Sequence, residues 1–517
     1  MRLVRTMARH RHHQNTQQPL HRGRNSTKKP VVMEEDKRVT ETTPLNNSDD
    51  YHIGTRTKTV PFYRNPATCL VTLGLLAGAV MFVSAVALFW RRNTAPDQPI
   101  CHDPCKLTLV ESIPLNLTYA EGSPAHPSIF GAWMQLVQKA QHSIDIASFY
   151  WTLQENDLPH DESASEGQEF YNELLRVGKG GKVKIRIAQD IQEGKVQNDT
   201  AFLARVGAAE VRSLNFSRFY PWGGVLHTKM IAVDGRHFYV GSANLDWRSL
   251  TQVKELGAVV EDCPCLAQDV GKLFSVYWDL GEPGADLPPA WPPAYQTYYN
   301  LQTPVQVAFN GTGTNTFLSS SPPEFCPKGR TSDIDAIVSV IRSAQKFVYV
   351  AVMDYAPTTL YRRDHNIYWP VIDDELRRAA FDRGVEVRLM ASKWNHTSPE
   401  SYRYLWSLQD LNFTGRYLHI NVSVKLFEVP DYPGVEQQFP FTRVNHNKYM
   451  VTDQVAYIGT SNWSADYFIN TGGVGLVINQ TSGQFGKSNV QEQLRAVFER
   501  DWDSPYAHTL YDYSQQR

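Results

Sequence analysis

Beyond residue 100 the sequence contains one pattern of helices, strands and motifs twice, and this duplication limits the fold more than any other feature. In each copy a stretch of helical periodicity runs into a β-rich stretch, and a motif-bearing strand and a closing helix follow. The matching segments are residues 132–151 with 335–355, 181–188 with 384–391, 226–244 with 444–462, and 273–279 with 497–503. This order predicts an α/β fold of two pseudo-symmetric repeats, each a mixed sheet flanked by helices.

The Pro-rich segment 288–304 is the natural joint between the copies. We therefore expect repeat 1 to occupy residues 91–296 and repeat 2 to occupy residues 297–517. An apolar fraction of 42% and a charged fraction of 20% are ordinary for a folded chain, which excludes wholesale disorder and a coiled coil. Two such repeats can meet face to face and form one site between them.

The residues that carry chemistry lie in the third matching pair of segments. Each copy contains an H-x-K-x4-D motif, followed by a Gly-started turn with Ser or Thr and then Asn. These residues are His227, Lys229, Asp234, Ser242 and Asn244 in the first copy, and His446, Lys448, Asp453, Thr460 and Asn462 in the second. Positions i and i+2 of a strand point to one face, so each His would share a face with its Lys. An isolated H-x-K is usually an exposed strand face, but repetition at matching places indicates a site.

Two imidazoles, two ammonium groups and two carboxamides around one cavity suit a phosphodiester. The lysines and asparagines, with the hydroxyls of Ser242 and Thr460, would hold the non-bridging oxygens and stabilise the charge of the transition state. One histidine would attack phosphorus and form a covalent phosphohistidine. The other would protonate the leaving oxygen and then activate the water that hydrolyses the intermediate. This chemistry requires no metal or cofactor, and we expect none.

The motif segments resemble the duplicated signature of the phospholipase D superfamily, and the resemblance covers nearly all of the chain beyond residue 100. The stretches 146–153, 241–256, 444–462 and 500–506 look like the transmembrane members three and four of that superfamily. Those members are lysosomal type II proteins whose lumenal part is a 5′→3′ exonuclease for single-stranded DNA and RNA. The resemblance therefore implies two phospholipase-D-type repeats and an exonuclease that limits nucleic-acid sensing. The residue pattern alone indicates only phosphodiester chemistry.

The resemblance also assigns roles. It places the His, Lys and Asn of both motifs in the active site, and it implies that the motif aspartates support structure more than they touch substrate. In related enzymes a carboxylate after the motif orients the catalytic histidine; Glu255 fits this place, whereas the second copy has Gly473. We therefore expect Glu255 to orient His227 as the nucleophile, with His446 as the general acid. The alternative for Glu255 is a solvated charge at the start of a strand.

An apolar run at residues 67–90 contains no charged side chain and ends at Arg91. At about 1.5 Å per residue it is long enough to cross a bilayer, and the 66 polar residues before it argue against a cleaved signal peptide. Residues 1–66 hold 13 Lys/Arg against 6 Asp/Glu and lack apolar periodicity, which indicates a disordered, cytosolic tail. We expect a type II membrane protein that travels through the endoplasmic reticulum and Golgi to endosomes and lysosomes. Its catalytic region would be lumenal, and cleavage of the stalk after Arg92 would release it.

Nine N-x-S/T sequons follow the apolar run, a number that suits a lumenal region. The predicted glycosylation sites are Asn116, Asn198, Asn215, Asn310, Asn395, Asn412, Asn421 and Asn479. The ninth sequon contains the motif residue Asn462, so we expect that side chain to be buried and unglycosylated.

Four cysteines fall into two close pairs, Cys101 with Cys105 and Cys263 with Cys265. We interpret them as two disulfides that tie the stalk to the body, with the connectivity left open. A zinc site is the alternative, but these spacings match common zinc sites poorly. Cys326 is then an odd, buried thiol.

The region beyond residue 93 holds 36 Lys/Arg and 47 Asp/Glu, a formal charge of −11 that is unusual for a nucleic-acid binder. Exposed histidines would gain protons near pH 5 and reduce this charge, and Arg248 and Arg443 would add to the two motif lysines at the site. Bases could stack on aromatic residues near strand ends, although core packing is the alternative for each of them. These aromatic residues are Phe149, Tyr150, Trp151, Tyr355 and Trp394.

Two other functions fit part of the pattern. A lipid phosphodiesterase or transphosphatidylase would pass a phosphatidyl group from histidine to a lysophospholipid acceptor, making lysosomal glycerophospholipids such as bis(monoacylglycero)phosphate. The motifs do not separate it from a nuclease, because both use the same covalent intermediate. A membrane-anchored binding protein with a dead site is the third hypothesis, and two intact motifs argue against it. Homodimers are known among the proteins that this chain resembles, but two facing repeats make a monomer sufficient.

Overall fold

The first repeat forms a seven-stranded mixed sheet whose inner strands are almost continuously apolar, as expected for strands covered on both faces. Its strands are β1 (Lys106–Ser112), β2 (Ser143–Ser148), β3 (Trp151–Thr152), β4 (Lys184–Asp190), β5 (Glu210–Leu214), β6 (Met230–Val233), β7 (His237–Gly241), β8 (Leu245–Asp246) and β9 (Glu255–Glu261). Seven of them follow the order β1-β9-β7-β6-β2-β4-β5, and β3 pairs separately with β8. β2, β4 and β5 are parallel, and the other neighbours in the sheet are antiparallel.

The second repeat forms a ten-stranded sheet that contains the same order of strands. Its strands are β10 (Val305–Phe309), β11 (Thr312–Ser321), β12 (Thr331–Ser332), β13 (Phe347–Val352), β14 (Glu386–Lys393), β15 (Val422–Glu428), β16 (Lys448–Thr452), β17 (Ala456–Gly459), β18 (Gly473–Gln480) and β19 (Ala507–Thr509). The path β11-β18-β17-β16-β13-β14-β15 repeats that of the first sheet, while β10 and β19 extend its edges and β12 pairs with β11. The predicted mixed α/β fold with two sheets is confirmed.

Helices cover both sheets, and equivalent helices begin in the same way. They are α1 (Ile129–Lys139), α2 (Ser165–Lys179), α3 (Asn198–Arg205), α4 (Trp247–Thr251) and α5 (Pro264–Leu280) in the first repeat, and α6 (Asp333–Ser343), α7 (Val371–Arg383), α8 (Pro399–Gln409), α9 (Asp466–Ile469) and α10 (Val490–Trp502) in the second. Ser128 caps α1 and Ser332 caps α6, each by accepting a hydrogen bond from a backbone N–H three residues on. These matched caps fix where the helices of the two repeats start.

The largest hydrophobic core lies between the sheets, around the closing helices α5 and α10. It contains Phe274 and Phe498 from equivalent positions of those helices, with Leu256 and Leu476 from the two sheets. Separate cores lie beneath α1 and α2 on the first sheet and beneath α6 and α7 on the second. Burying each phenylalanine contributes about 1.5–3 kcal/mol, so this shared core holds the two repeats face to face.

Two disulfides join the segment before β1 to the start of α5. Cys101 pairs with Cys265 and Cys105 pairs with Cys263, over sequence separations of 164 and 158 residues. This agrees with the expected disulfides and not with zinc ligation. Cys326 is a free, half-buried thiol whose pKa burial raises to about 11. Closing loops of this length stabilises the folded chain by roughly 5 kcal/mol on a chain-entropy model.

The computed structural model describes residues 100–154, 161–191, 197–412, 420–431, 439–480 and 489–516. The predicted tail at 1–66 and the predicted span at 67–90 lie outside these residues. Among the residues described, no helix is long and apolar enough to cross a membrane. Seven of the eight predicted glycosylation sites are exposed and Asn215 is half-buried, whereas Asn462 is buried as expected.

The carboxylate of Asp333, at the first turn of α6, is buried without a cation beside it. Ser319 Oγ donates a hydrogen bond to it over 2.7 Å, and Tyr457 Oη donates over 2.9 Å. Burial raises the pKa of Asp333 to about 6, although these hydrogen bonds oppose the shift. A carboxyl group with a raised pKa in the folded state stabilises the fold at low pH, and this stabilisation is lost as the pH rises through about 6.

Asp333→Asn should therefore reduce the dependence of unfolding free energy on pH. A shift of the pKa from 3.8 to about 6 makes the Asp333 contribution about 1 kcal/mol larger near pH 5 than near pH 7.5. Denaturant titrations at both pH values should show this difference in the natural chain and its loss in the variant. Asp335→Asn, an exposed substitution in the same helical turn, is the control. An unchanged pH dependence in Asp333→Asn would contradict the assignment.

Candidate active site

Backbone pairing between the repeats brings the two H-x-K segments together. The His227 N–H donates to the Gly472 carbonyl over 2.8 Å, and the His446 N–H donates to the Lys254 carbonyl over 2.8 Å. Each histidine segment thus pairs with the chain of the opposite repeat, just before β18 for His227 and just before β9 for His446. The H-x-K residues were expected on a strand, but β6 begins only after Lys229 and β16 begins at Lys448. The orientation of these side chains therefore depends on backbone pairing between the repeats and not on the alternation of side chains along a strand.

The two imidazoles come from opposite repeats and lie close together, and we call the space between their rings the cavity. Their ring centroids are 6.5 Å apart, with an angle of 72° between the ring planes. His227 is 5% exposed and His446 is 8% exposed. Because reacting atoms approach to about 3–3.5 Å before bond formation, one phosphorus atom can lie between the rings with a nitrogen on each side.

Both motif lysines are buried beside the histidines. Lys229 Nζ donates to the His227 carbonyl over 2.7 Å, and Lys448 Nζ donates to the His446 carbonyl over 2.6 Å. Burial lowers the pKa of both lysines; that of Lys448 falls only to about 7, because Glu255 and a second carboxylate, Asp354, oppose the shift. The structure therefore brings together the two His and two Lys that the motifs predicted.

A backbone carbonyl holds the ring of His227. Its Nδ1 lies 2.9 Å from the carbonyl oxygen of Thr460, which belongs to the opposite repeat. Because a carbonyl only accepts hydrogen bonds, the contact assigns the proton to Nδ1 and leaves the lone pair on Nε2. The ring also packs against Phe149 and Tyr467, at centroid distances of 5.3 and 5.0 Å. These contacts fix both the orientation and the tautomer of His227.

The expectation that Glu255 orients His227 is wrong, because its carboxylate binds the other histidine. His446 Nδ1 lies 3.0 and 2.9 Å from the two Glu255 oxygens. Glu255 follows Lys254, whose backbone pairs with the His446 segment, so the side chain faces the second repeat. The alternative of a solvated charge is also wrong, because Glu255 is fully buried and burial raises its pKa to about 7.

The equivalent position in the second repeat cannot hold a carboxylate. A Cβ atom at Gly473 would lie 2.3 Å from Ser461 Oγ and 2.8 Å from Ser321 Oγ, closer than such atoms approach. The first repeat therefore supplies a carboxylate for His446, while the second supplies none for His227. This asymmetry separates two histidines that the motifs alone make equivalent.

The two motif asparagines differ in their partners. The Asn462 amide donates to Asp354 Oδ2 over 3.2 Å and to Tyr467 Oη over 3.0 Å. The Asn244 amide has a longer contact, 3.4 Å, with Tyr150 Oη. Sequence reasoning missed Asp354. The sequence feature that could have identified it is a charged residue just after the buried strand β13, at the position equivalent to Tyr150 in the first repeat.

Four predicted site residues support the scaffold instead of facing the cavity. Asp234 was assigned to the catalytic motif, but it accepts hydrogen bonds from backbone N–H groups of residues 141–143, and Asp453 does the same at residues 345–346. Ser242 and Thr460 were expected to bind substrate. Ser242 Oγ instead bonds the Leu256 backbone and the Glu255 carboxylate, and Thr460 Oγ1 accepts from the Val474 N–H. Asp234 and Asp453 thus anchor the segments before β2 and β13, and Ser242 and Thr460 tie the turns after β7 and β17 to β9 and β18.

Most of the other predicted contacts with nucleic acid are core or structural contacts. Trp151 and Tyr355 are buried in the outer cores. Arg248 pairs with Asp246 at 3.0 Å, and Arg443 binds the Pro430 carbonyl, so neither arginine adds to the positive charge of the cavity as expected. Of the predicted aromatic residues, Phe149 contacts the His227 ring, Tyr150 contacts Asn244, and Trp394 makes an edge-to-face contact with His396.

The site carries little fixed charge near neutral pH. Burial, followed by the nearby lysine charges, lowers the pKa of both histidines well below its usual value. Burial raises the pKa of Asp354 to about 6, against the opposing effect of Lys448. Acidification would neutralise Asp354 and add a proton that Glu255 and His446 share, while the lysines stay charged, so affinity for an anion should increase as the pH falls. Within the described part of the chain, one group is spaced as metal ligands are, and it is the four disulfide cysteines.

Comparisons with known proteins agree with this geometry. A family model described as "PLD3/4, PLD-like domain" matches residues 120–432. The chain is 48% identical over 411 residues to the Xenopus laevis protein named 5′-3′ exonuclease PLD3, covering 79% of this chain and 82% of that protein. It is 47% identical over 412 residues to the Homo sapiens protein of the same name, with the same coverage. It is also 47% identical over 414 residues to Mus musculus 5′-3′ exonuclease PLD4, covering 78% and 80%.

The fold also occurs in a distant solved structure. Phosphatidylserine synthase of Haemophilus influenzae Rd KW20 superposes with a TM-score of 0.50 at 13% identity, over 82% of this chain and 92% of that chain. At this identity the likeness concerns the fold alone. It extends across both repeats, which agrees with the shared order of strands.

Proposed function

We propose that this chain, which belongs to the PLD3/4 family of the phospholipase D superfamily, is an acid 5′→3′ exonuclease for single-stranded DNA and RNA. The observation that carries the proposal is the pair of imidazoles, 6.5 Å apart, that opposite repeats aim at one cavity. Buried lysines lie beside both rings and supply the positive charge that a phosphodiester requires.

His227 is the nucleophile. Its Nδ1–H is fixed by the Thr460 carbonyl, so the lone pair of Nε2 faces the cavity. Burial and the charges of Lys229 and Lys448 lower its pKa, which keeps the ring neutral and able to attack. Attack forms a bond between Nε2 and phosphorus and breaks the bond between phosphorus and the leaving oxygen. The sequence also predicted His227 as the nucleophile, but on the expectation that Glu255 binds its ring. The structural argument is the opposite one, because Glu255 binds His446 instead.

His446 is the general acid and then the general base. The Glu255 carboxylate on Nδ1 stabilises the imidazolium form, so Nε2 carries the proton that the leaving oxygen receives. In the second step the neutral ring takes a proton from water. The hydroxide so formed attacks phosphorus, breaks the bond to His227 and releases a phosphate monoester. The lysines and the Asn462 amide stabilise the oxygens in both steps.

Loops of opposite repeats meet at one side of the cavity, which supports recognition of a strand end. The Arg363 N–H donates to the Trp222 carbonyl over 3.0 Å. Tyr361, two residues before Arg363, is 46% exposed and forms a hydrogen bond with Asp354. A strand that continued in this direction would meet these loops, so an end fits there better than an interior segment.

Full-length protein in detergent should shorten 5′-hydroxyl single strands from the 5′ end near pH 5. The free enzyme needs one protonated imidazole, and the pKa of both is lowered, so kcat/KM should rise as the pH falls from about 7.5 to about 5. His227→Ala and His446→Ala should each lose at least about 100-fold in rate. A circular single strand is the control, because an endonuclease would open it.

Intact oligonucleotides at pH 5, or internal cuts, would overturn this function. A parallel reaction with lysophospholipid and a glycerol acceptor tests the lipid alternative. A phosphatidyl-transfer product without oligonucleotide cleavage would replace the nuclease proposal with that alternative.

The two histidines can be assigned with a substrate that does not need protonation. On a thymidine p-nitrophenyl phosphodiester, His446→Ala should still release one equivalent of p-nitrophenolate in a burst, because this leaving group departs unprotonated. His227→Ala should show no burst, and phosphate should be trapped on histidine only in His446→Ala. The reverse pattern would exchange the two roles.

We also propose that residues 67–90 anchor the protein with its catalytic region in the lumen of the endoplasmic reticulum, Golgi, endosome and lysosome. The exposed sequons and the two disulfides support this location. Endoglycosidase should lower the apparent mass of the protein, and intact microsomes should protect all but the N-terminal tail from protease. Digestion of the C-terminal region in sealed microsomes would exclude this topology.

A further inference from the structure

Four charged side chains are buried together between α10, β1 and the residue before β9. Lys254 Nζ lies 2.7 Å from Asp501 Oδ2 and 3.9 Å from Glu111 Oε1. Arg500 Nη2 lies 2.6 Å from Glu111 Oε1 and 3.0 Å from Asp501 Oδ1. Tyr119 Oη also donates to Asp501 over 2.6 Å. Lys254 and Asp501 are fully buried, so we call this group the buried charge cluster.

Burying these charges costs desolvation free energy, so we ask what the cluster contributes to the protein. Removing charges from water is expensive, and buried ion pairs often stabilise a fold no more than apolar residues of the same size would. What such pairs do provide is a fixed geometry, because any displacement leaves a charge unpaired. The residues that this geometry fixes are therefore the ones to identify.

The cluster connects to His446 through Lys254. The Lys254 N–H donates to the Val444 carbonyl over 2.9 Å, and the Lys254 carbonyl accepts from the His446 N–H. The next residue is Glu255, which holds the His446 ring. Anchoring the Lys254 side chain therefore restrains both the backbone and the carboxylate partner of that histidine.

The other half of the pseudo-symmetric site serves as an internal comparison. Gly472 occupies the place of Lys254 and makes the same backbone bonds, 2.9 Å to Val225 and 2.8 Å from His227. Tyr277, in the position of Asp501, accepts a hydrogen bond from Thr228. The backbone pairing thus forms without charges. Among the described residues, the places of Lys254 and Asp501 hold charges on the side of His446 and uncharged residues on the side of His227.

We propose that Lys254, Asp501, Arg500 and Glu111 are positioning residues that hold Glu255 against His446 for proton transfer to the leaving oxygen. This inference deepens the proposed mechanism and rests on it. It predicts that loss of the cluster impairs the step that needs a proton and spares the attack by His227.

Asp501→Asn tests the inference, because it keeps the size of the side chain but removes the carboxylate nearest to Lys254. Single-turnover rates would be measured on a 5′-hydroxyl oligonucleotide and on the thymidine p-nitrophenyl phosphodiester. The oligonucleotide rate should fall by about 10- to 100-fold, less than the roughly 100- to 10,000-fold that complete loss of general acid catalysis costs. The first-turnover release of p-nitrophenolate should change by less than about threefold, because that leaving group needs no proton.

Asp269→Asn is the matched control. Asp269 forms another fully buried ion pair, 2.6 Å from Arg330, away from the histidines. Its loss should affect both substrates equally, even where it lowers the melting temperature as much as Asp501→Asn does. If Asp501→Asn does not fold, Glu111→Gln removes a carboxylate from the same cluster and should give the same selective loss.

Equal losses on both substrates in Asp501→Asn and Glu111→Gln, or no loss in either, would overturn the inference. Failure of the proposed function looks different. In that case the natural chain itself would cleave neither substrate, whatever the variants do.

Discussion

The structure depends on two backbone hydrogen bonds that cross between the repeats, from His227 to Gly472 and from His446 to Lys254. Each joins a catalytic segment to the chain of the opposite half. Without them the histidines would lie at the ends of inner strands in two separate sheets. With them the rings share a cavity that neither repeat forms alone. The apolar core around Phe274 and Phe498 keeps the halves close enough for these bonds to form.

Burial and asymmetry then give two chemically equal side chains different roles. Both rings are desolvated, and both are near ammonium groups that disfavour the imidazolium form. Both rings have a backbone partner at equivalent positions, Thr460 for His227 and Ser242 for His446, but only His446 also binds the Glu255 carboxylate among the described residues. One neutral imidazole is suited to attack, and one carboxylate-bound imidazole is suited to carry a proton. The charges of Lys448 and Asp354 add to the difference, because both lie on the side of the second motif.

The sequence was sufficient for what depends on local periodicity and repetition. It predicted the duplicated sheets, the convergence of two His and two Lys, the pair of disulfides and the burial of Asn462. It failed where the answer depends on how the halves dock. Glu255 is close in sequence to the first motif, yet cross-repeat pairing turns it towards His446. The docking of the two halves also determines that Ser242 and Thr460 hydrogen-bond to the backbone and that Asp354 lies in the site.

The exchange of contacts between halves has an evolutionary consequence. Two separate, identical copies of one repeat, paired about a twofold axis, would carry either a glutamate beside both histidines or none beside either. Only a fused chain can have Lys254-Glu255 in one half and Gly472-Gly473 in the other. Joining the copies in one chain thus allowed the two halves to differ in sequence. Each histidine could then acquire its own partner from the opposite half and its own role.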